Sequence, residues 1–356
     1  MTGEVVLHIG CDKTGTTTIQ QFLRRNRPAL VQQGILYPRS PGRVRHWDLG
    51  LYAAPDEAMP GSRIWQREGH TSPQRFRRRL RRRLAREIEE SGASTVVLSD
   101  EMLFRIVPES IHRLHGLVAA LARRTRIVVY LRRQDDHLVS RYQQAVKVGS
   151  VLDLATWARR DFSDSYDYAH RLAEWQRAFE PVELAVRPFE RSRFADGSLE
   201  QDFLDAAELG VRAADLRPVQ VRNESLGVEG VEMLRILNLH RTRNQGLKNW
   251  QSSNREHVRR LREIDTGPVV TLPEADLDRF MEQWAESNRR VAVDHLGDES
   301  GELFRAPRKT AGTTTEQVLD PTRLDVYLAL LEIPGSEQAA IRAIAEEEAV
   351  RPRPRG

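Results

Sequence analysis

The chain has 356 residues, of which 40% are hydrophobic and 30% are charged, with a formal net charge of +4. This balance is typical of a globular protein and excludes a disordered one. A single cysteine excludes an internal disulfide and any cysteine-based zinc site. There is no apolar run of about 18 residues and no signal pattern at the N-terminus, so we expect a soluble, cytoplasmic protein without a membrane span.

The first predicted strand ends in a loop of the kind that binds phosphate. Residues 5–20, VVLHIGCDKTGTTTIQ, predict a strand, then a loop with Gly10, Lys13 and Gly15, then a helix that begins near Thr16. Backbone N–H groups in such a loop and the positive end of the helix dipole favour a bound anion. The chain has four lysines and 51 arginines, so a lysine in this loop indicates a compact point charge on a phosphate oxygen.

Three common phosphate-binding motifs do not fit this loop. A Walker loop places its lysine after the second glycine, whereas Lys13 precedes Gly15. The G-x-G-x-x-G dinucleotide fingerprint is also missing. A cysteine-phosphatase loop beginning at Cys11 needs an arginine where the chain has Thr17. We therefore interpret Cys11 as an inert thiol at the junction of strand and loop.

Two segments between the first and second predicted strands carry open alternatives. Residues 37–70 are rich in Pro, Gly and aromatics and predict an irregular stretch, which contains His46. Residues 75–90 predict a helix with eight arginines between Arg75 and Arg86 and an apolar stripe every fourth residue. The arginines form a solvated face, an electrostatic collar for an acidic substrate, or a contact with nucleic acid. No aromatic residue interleaves them as base stacking requires.

A second buried strand is predicted over residues 94–99, and Asp100 and Glu101 follow it directly. Carboxylates at the carboxyl end of such a strand lie where open α/β sheets bind ligands. Glu101 is therefore a candidate general base or substrate ligand. The alternative is an acid that stabilises a helix N-terminus through the helix dipole.

A third strand over residues 126–131 leads directly into RRQDDHLVSRY, residues 132–142. Together with the segment HIGCDKTGTTTIQ, this resembles the two nucleotide-binding motifs of sulfotransferases that use 3′-phosphoadenosine 5′-phosphosulfate (PAPS). The similarity is greatest to the bacterial branch with a K-T-G-T-T loop. In that family an arginine at the strand end and a serine eight residues later hold the 3′-phosphate, which corresponds here to Arg132 and Ser140. A bidentate arginine and a hydroxyl suit a phosphate.

The resemblance implies the further site residues. It makes the first loop the 5′-phosphosulfate site and suggests that a later loop with Arg222 and Asn223 covers the nucleotide. It also makes His46 a candidate catalytic base, with a surface histidine as the alternative. The chain lacks the R-K-G pattern of the animal cytosolic branch in that loop. The residues of the 5′-phosphosulfate loop are Lys13, Thr14, Gly15, Thr16, Thr17 and Thr18.

The sequence thus predicts an α/β, P-loop-like three-layer fold with a central parallel sheet and a C-terminal helical cap. We expect a sulfotransferase domain over residues 1–305, with the cap at about 222–305, and a helical extension with a frayed tail over 306–356. The expected activity is sulfuryl transfer from PAPS to a hydroxyl or amine of a carbohydrate or small metabolite. It uses Lys13 and His46 or Glu101, with no metal, nucleic acid or membrane span.

Two other classes of function are compatible with the sequence. A P-loop-like kinase or nucleotide-binding regulator would need a magnesium-binding carboxylate and would prefer ATP. An arginine-rich binder of acidic polymers would depend steeply on salt and would keep its binding when Lys13 is replaced by alanine.

Overall fold

The structure of the protein is a computed structural model, which describes residues 2–220, 225–246, 254–264 and 267–351. The chain forms two compact units, each assembled from three segments. The first unit comprises Met1–Arg132, Phe162–Val221 and Ala285–Ala306. The second comprises Arg133–Asp161, Arg222–Trp284 and Pro307–Gly356.

A five-stranded sheet of parallel strands lies at the centre of the first unit, in the order β2-β3-β1-β4-β5. This confirms the predicted α/β fold with a central parallel sheet. The strands are β1 Thr2–His8, β2 Ile35–Leu36, β3 Thr95–Ser99, β4 Ala122–Leu131 and β5 Glu183–Pro188.

The α-helices are listed here in chain order and alternate with these strands through the first unit. They are α1 Thr16–Arg25, α2 Arg27–Gln32, α3 Trp47–Ala53, α4 Arg63–Glu68, α5 Pro73–Ser91, α6 Pro108–Ala119, α7 Gln134–Lys147, α8 Leu154–Ala158, α9 Ser163–Tyr166, α10 Tyr168–Phe179, α11 Leu199–Ala206, α12 Val228–Asn244, α13 Arg255–Ile264, α14 Glu274–Glu282, α15 Ala285–Leu296, α16 Leu324–Leu330 and α17 Gly335–Val350.

One face of the sheet packs against α1, α2 and α11. Val6, Val97 and Val128 are fully buried and contact Phe22 of α1 and Phe203 of α11 in one apolar cluster. Because side chains alternate along a strand, the intervening strand residues point to the opposite face. They are also buried, which is the pattern of a parallel sheet covered on both faces.

The strand order creates a switch point between β1 and β3. The chain leaves β1 toward β2 on one side of the sheet, whereas it leaves β3 toward β4 on the other side. Open α/β sheets bind ligands in the crevice at the carboxyl ends of the strands where the connections diverge. The loop after β1 and the Asp100–Glu101 pair after β3 both lie at this crevice.

The second unit is built around a buried polar network on α12. Arg235 is fully buried and donates to Glu232 at 2.8 and 2.6 Å and to Glu348 of α17 at 2.6 Å. Gln317 donates to Glu232 at 2.8 Å and also to the hydroxyl of Tyr142. Helix α17 is therefore joined to α12 by hydrogen-bonded charges inside the unit.

The structure differs from the sequence prediction in two places. The stretch expected to be irregular contains α3 and α4, because Leu49 and Leu51 of α3 are buried. Strand β4 begins at Ala122, four residues before the start predicted for the third strand. Residues 307–351 lie in the second unit together with 133–161, and α17 packs on α12 through the buried network. The predicted domain boundary near residue 305 stays a prediction.

Candidate functional site

The loop after β1 needs glycine at two positions. Gly10 has φ 114° and Gly15 has φ 72°, both in the left-handed region that favours glycine. A Cβ atom on Gly10 would lie 2.7 Å from the carbonyl oxygen of Glu101, and one on Gly15 would lie 2.3 Å from Leu199. At both positions the loop therefore lies too close to its neighbours for a residue larger than glycine.

Hydrogen bonds hold this loop against β4. The N–H of Cys11 donates to the carbonyl of Tyr130 at 2.9 Å, and the N–H of Tyr130 donates to the carbonyl of Gly10 at 2.8 Å. The buried hydroxyl of Thr14 donates to the carbonyl of Cys11 at 2.6 Å. The Thr14 side chain thus shapes the loop, which leaves only its backbone for the predicted contact with a ligand.

Lys13 has φ 63°, and its half-buried ammonium has no acceptor within hydrogen-bonding distance among the residues that the structure describes. Burial lowers the pKa of this ammonium below its ordinary value, and the nearby charge of Arg132 lowers it further, whereas Asp12 and Glu101 oppose the shift. A desolvated cation without an acceptor favours an anionic ligand, because an anion restores the lost electrostatic stabilisation.

Helix α1 begins directly after Gly15, and its first intrahelical hydrogen bond runs from the N–H of Ile19 to the carbonyl of Gly15 at 3.1 Å. The N–H groups of the first turn, residues 16–18, have no acceptor within the helix. The Thr17 side chain is exposed and that of Thr18 half-buried, whereas the hydroxyl of Thr16 donates to the carboxylate of Glu101. The first turn therefore offers backbone donors and a hydroxyl at the carboxyl edge of the sheet.

Arg45 contacts both carboxylates after β3. Its guanidinium donates to Asp100 at 2.7 Å and to Glu101 at 3.0 Å. Asp100 is buried, and burial raises the pKa of its carboxyl while the Arg45 charge opposes this. Glu101 is 22% exposed, so it is the carboxylate of the pair that solvent or a ligand reaches.

His46 is buried, and both ring nitrogens contact backbone groups. Nδ1 accepts from the N–H of Ser99 at 3.1 Å, and Nε2 donates to the carbonyl of Pro38 at 2.9 Å. Burial lowers its pKa to about 3, so the imidazole is neutral at physiological pH. This geometry supports a structural role for His46, which connects β3 to the segment after β2, and argues against the predicted role as a base.

The two halves of the predicted 3′-phosphate site belong to different units. Arg132 follows β4 at the end of the first segment of unit one, and its Nη1 donates to the carbonyl of Lys13 at 3.0 Å. Ser140 is half-buried on α7 of the second unit. Arg133 caps α7 and donates to Asp135 at 3.0 and 3.1 Å. Arg222 and Asn223 lie outside the described residues.

The structure thus brings Lys13, Thr16, Glu101 and Arg132 to one edge of the sheet, as the sequence predicts. It adds Arg45, which the sequence analysis missed because its partners lie more than 50 residues away in the chain. Arg105 was missed as well: its guanidinium lies 4.0 Å from the Asp12 carboxylate in the loop after β1. No local pattern marks either arginine in a chain with 51 of them.

Comparisons with known proteins leave the family open. No family model matches the chain, and no solved structure matches it. A protein of Archaeoglobus fulgidus described as uncharacterized is 33% identical over 181 residues, which are 49% of this chain and 46% of that protein. The chain therefore spans about half the length of the relative that it matches.

Two properties of the described residues concern metal binding and membrane insertion. No group of three or more His, Cys, Asp and Glu residues in the described ranges is arranged to hold a metal ion. None of the helices in the described part of the chain is long and apolar enough to cross a membrane.

Proposed function

We propose that the protein is a sulfotransferase that moves a sulfuryl group from PAPS to a hydroxyl of an acceptor. The observation that carries the proposal is the half-buried Lys13 ammonium. It has no acceptor among the described residues and lies in a loop that opens onto the free N–H groups of α1. Such a loop matches the charge and shape of a 5′-phosphosulfate. The motif resemblance supports the same assignment.

In this reaction the acceptor oxygen attacks the sulfur atom and forms a new S–O bond. The S–O bond to the 5′-phosphate breaks, and its electron pair stays on the phosphate oxygen of adenosine 3′,5′-bisphosphate. Negative charge therefore grows on that bridging oxygen in the transition state. By analogy with phosphoryl transfer, positioning and electrostatic stabilisation supply most of the rate. Lys13 is assigned to the bridging oxygen, and residues 16–18 donate to the 5′-phosphate.

The acceptor hydroxyl loses its proton as the new bond forms, and Glu101 is our candidate for the base. Its carboxylate is partly exposed, whereas His46 is buried with both nitrogens occupied. Glu101 accepts from Thr16 in the structure described here. When Thr16 donates to a bound phosphate instead, one carboxylate oxygen of Glu101 becomes available to the acceptor proton.

The other end of the donor carries the 3′-phosphate, and Arg132 is proposed to bind it, whereas the contact of Ser140 stays a prediction. Arg132 also donates to the Lys13 carbonyl, so the same side chain contacts the loop that we assign to the 5′-phosphosulfate. The carbohydrate or small-metabolite class of acceptor, the contacts of Arg222 and Asn223, and a cytoplasmic location stay predictions.

A kinase-like nucleotide-binding function is the second candidate, and one contact favours it. P-loop proteins hold magnesium with a loop Ser or Thr and a carboxylate at the end of a neighbouring strand. Thr16 and Glu101 are paired in this way at the ends of β1 and β3. The Arg45 guanidinium, however, donates to both Asp100 and Glu101 and offsets the negative charge that a divalent cation requires.

Thermal unfolding with three nucleotides tests the proposal. Adenosine 3′,5′-bisphosphate should raise the melting temperature more than AMP, and more than ATP with magnesium. A ligand at a hundredfold excess over its Kd adds about 2.7 kcal/mol to the free energy of unfolding. Arg132→Ala should reduce the shift with the bisphosphate, whereas Arg123→Ala, on an exposed part of β4, should not. Equal shifts with AMP would refute the 3′-phosphate site, and a larger shift with magnesium–ATP would favour the kinase.

A further inference from the structure

The exposed surface of α5 carries a concentrated positive charge. Residues 73–86 contain eight arginines and no Asp or Glu, a charge of +8, whereas the whole chain has a net charge of +4. The rest of the chain is therefore net negative. The apolar stripe of this helix is buried, so the arginines project away from the core. We call the following six exposed residues the basic surface of α5: Arg75, Arg78, Arg79, Arg81, Arg82 and Arg83.

Three exposed arginines on other helices form ion pairs, whereas those of the basic surface form none with the described residues. Arg259, Arg279 and Arg289 each contact a carboxylate three residues earlier, at 2.8 Å or less. In the described ranges, no carboxylate lies within the 4.0 Å ion-pair distance of any residue of the basic surface. These like charges lie within about 12 Å along the helix axis and repel one another. An anionic partner would relieve this repulsion.

The basic surface is physically connected to the candidate site. Glu87, on the same helix, accepts from the N–H groups of Arg39 and Ser40 at 2.7 and 2.9 Å. The segment that begins there ends at Arg45, which contacts Glu101 at 3.0 Å. Arg39 and Arg43 are exposed along this segment. Positive side chains therefore continue from α5 toward the carboxylate that we assign as the base.

From this arrangement we infer that the acceptor is an acidic polysaccharide, which binds along the basic surface of α5 and presents a hydroxyl to the phosphate loop. The inference rests on the proposed sulfotransferase function. Guanidinium groups bind carboxylate and sulfate oxygens with paired hydrogen bonds. The exposed residues of the surface include no aromatic side chain for base stacking, and the apolar stripe of the helix is buried and so unavailable to a lipid interface.

Binding of defined polymers to the full-length protein tests this inference. The probes are a heparin octasaccharide, a polyuronate octasaccharide, a neutral dextran oligosaccharide and a 20-base-pair DNA duplex, at one ionic strength. The triple variant Arg75→Gln/Arg78→Gln/Arg82→Gln should weaken binding of both acidic sugars at least tenfold. The control Arg259→Gln/Arg279→Gln/Arg289→Gln removes the same charge from other exposed helices and should change the affinity less than threefold. The dependence of affinity on salt should also become less steep in the first variant, because fewer counterions are released.

Three outcomes would overturn the inference. The first is that both triple variants bind the acidic sugars equally well. The second is that the wild type binds the neutral oligosaccharide as tightly as the acidic sugars. The third is that the DNA duplex binds more tightly than the sugars and loses affinity in the same arginine variant. Thermal stabilisation by adenosine 3′,5′-bisphosphate, measured on the same variants, separates this inference from the proposed function. If the bisphosphate binds and the acidic sugars do not, the polysaccharide inference alone is wrong. If the sugars bind through α5 and the bisphosphate does not bind, the sulfotransferase and with it the acceptor role are wrong.

Discussion

The hydroxyl of Thr16 donates to the carboxylate of Glu101, so the first residue of α1 is joined directly to the end of β3. Arg45 donates to the other oxygen of the same carboxylate at 3.0 Å. Each Glu101 oxygen therefore accepts one of these two hydrogen bonds. A phosphate that accepts from the Thr16 hydroxyl in place of Glu101 would free one carboxylate oxygen. Binding of PAPS would then make the proposed base available to the acceptor.

This coupling predicts a clear difference between Glu101 and His46. Glu101→Gln should lower kcat/KM about 10²- to 10⁴-fold, because glutamine cannot take the acceptor proton. It should also remove the acidic limb of the pH–rate profile. His46→Gln should keep most of the activity, because an amide can accept from Ser99 and donate to Pro38 as the imidazole does. The measurement is sulfuryl transfer to any active acceptor as a function of pH. If His46→Gln lost the acidic limb and Glu101→Gln kept it, His46 rather than Glu101 would be the base.

The sequence predicts the secondary structure around the candidate site well where the signal is local. The strand, the glycine loop and the start of α1 are contiguous, and the structure has them as predicted. The Asp100–Glu101 pair was placed correctly at a strand end, because buried parallel strands have a recognisable apolar pattern. Arg45 could not be predicted, since its contact with Glu101 depends on how α3 and the preceding segment fold over β3.

The prediction that residues 37–70 form an irregular stretch was wrong for a related reason. Helix α3 has seven residues and α4 has six, which is too short for a periodic apolar pattern to stand out. Leu51, Met59 and Trp65 come together only when α5 supplies Phe76 and Leu80. Tertiary packing therefore determines this region. The burial of His46 likewise depends on tertiary packing, so sequence reasoning could not distinguish it from a surface histidine.

Arg132 and Arg133 should differ in their effect on nucleotide binding. Arg132→Ala should weaken binding of adenosine 3′,5′-bisphosphate by about 1.5–3 kcal/mol, the typical contribution of a hydrogen bond to a charged group. Arg133→Ala should have little effect, because its guanidinium is held by Asp135 at 3.0 Å. Isothermal calorimetry measures both values, and AMP serves as the control ligand. If Arg133→Ala weakened binding more than Arg132→Ala, Arg133 would be the arginine that holds the 3′-phosphate. This result would contradict the predicted pairing of Arg132 with Ser140.

The buried histidines should make the protein sensitive to acid. Burial lowers the pKa of His46 from 6.5 to about 3, and that of His8 likewise. The unfolded chain therefore binds protons below pH 6.5 that the native state does not bind. The contribution of each neutral, buried histidine to the free energy of unfolding is therefore fully present above pH 6.5. It is lost as the pH falls toward 3, at up to about 1.4 kcal/mol per pH unit for each histidine.

Chemical denaturation between pH 4 and pH 6 measures this slope. In His46→Gln the slope should decrease by up to about 1.4 kcal/mol per pH unit relative to the wild type, because the contribution of one buried imidazole is gone. Replacement of a histidine that is exposed and has no ion pair in the described residues, His112→Gln, is the matched control and should leave the slope unchanged. An unchanged slope in His46→Gln would show that its imidazole takes up a proton in the native state.

The Lys13 ammonium gives the most direct test of the proposed chemistry. Lys13→Ala should lower kcat about a hundredfold or more, because it removes one electrostatic donor at the oxygen where charge develops. Binding of adenosine 3′,5′-bisphosphate should weaken much less. Lys13→Arg should restore little activity, since a planar guanidinium cannot occupy the position of a compact ammonium in this loop. Lys147→Ala on α7 is the control for loss of a lysine.

Binding itself should also report on Lys13. Burial lowers its pKa in the free protein, and a bound phosphate would raise it again, because an anion favours the charged ammonium. Between those two pKa values, nucleotide binding must take up a proton. Calorimetry at alkaline pH, in two buffers of different ionisation enthalpy, measures this uptake. It should be present in the wild type and missing in Lys13→Ala. Near-wild-type turnover of Lys13→Ala, with the same proton uptake, would exclude Lys13 from the phosphate site and refute the mechanism proposed for this loop.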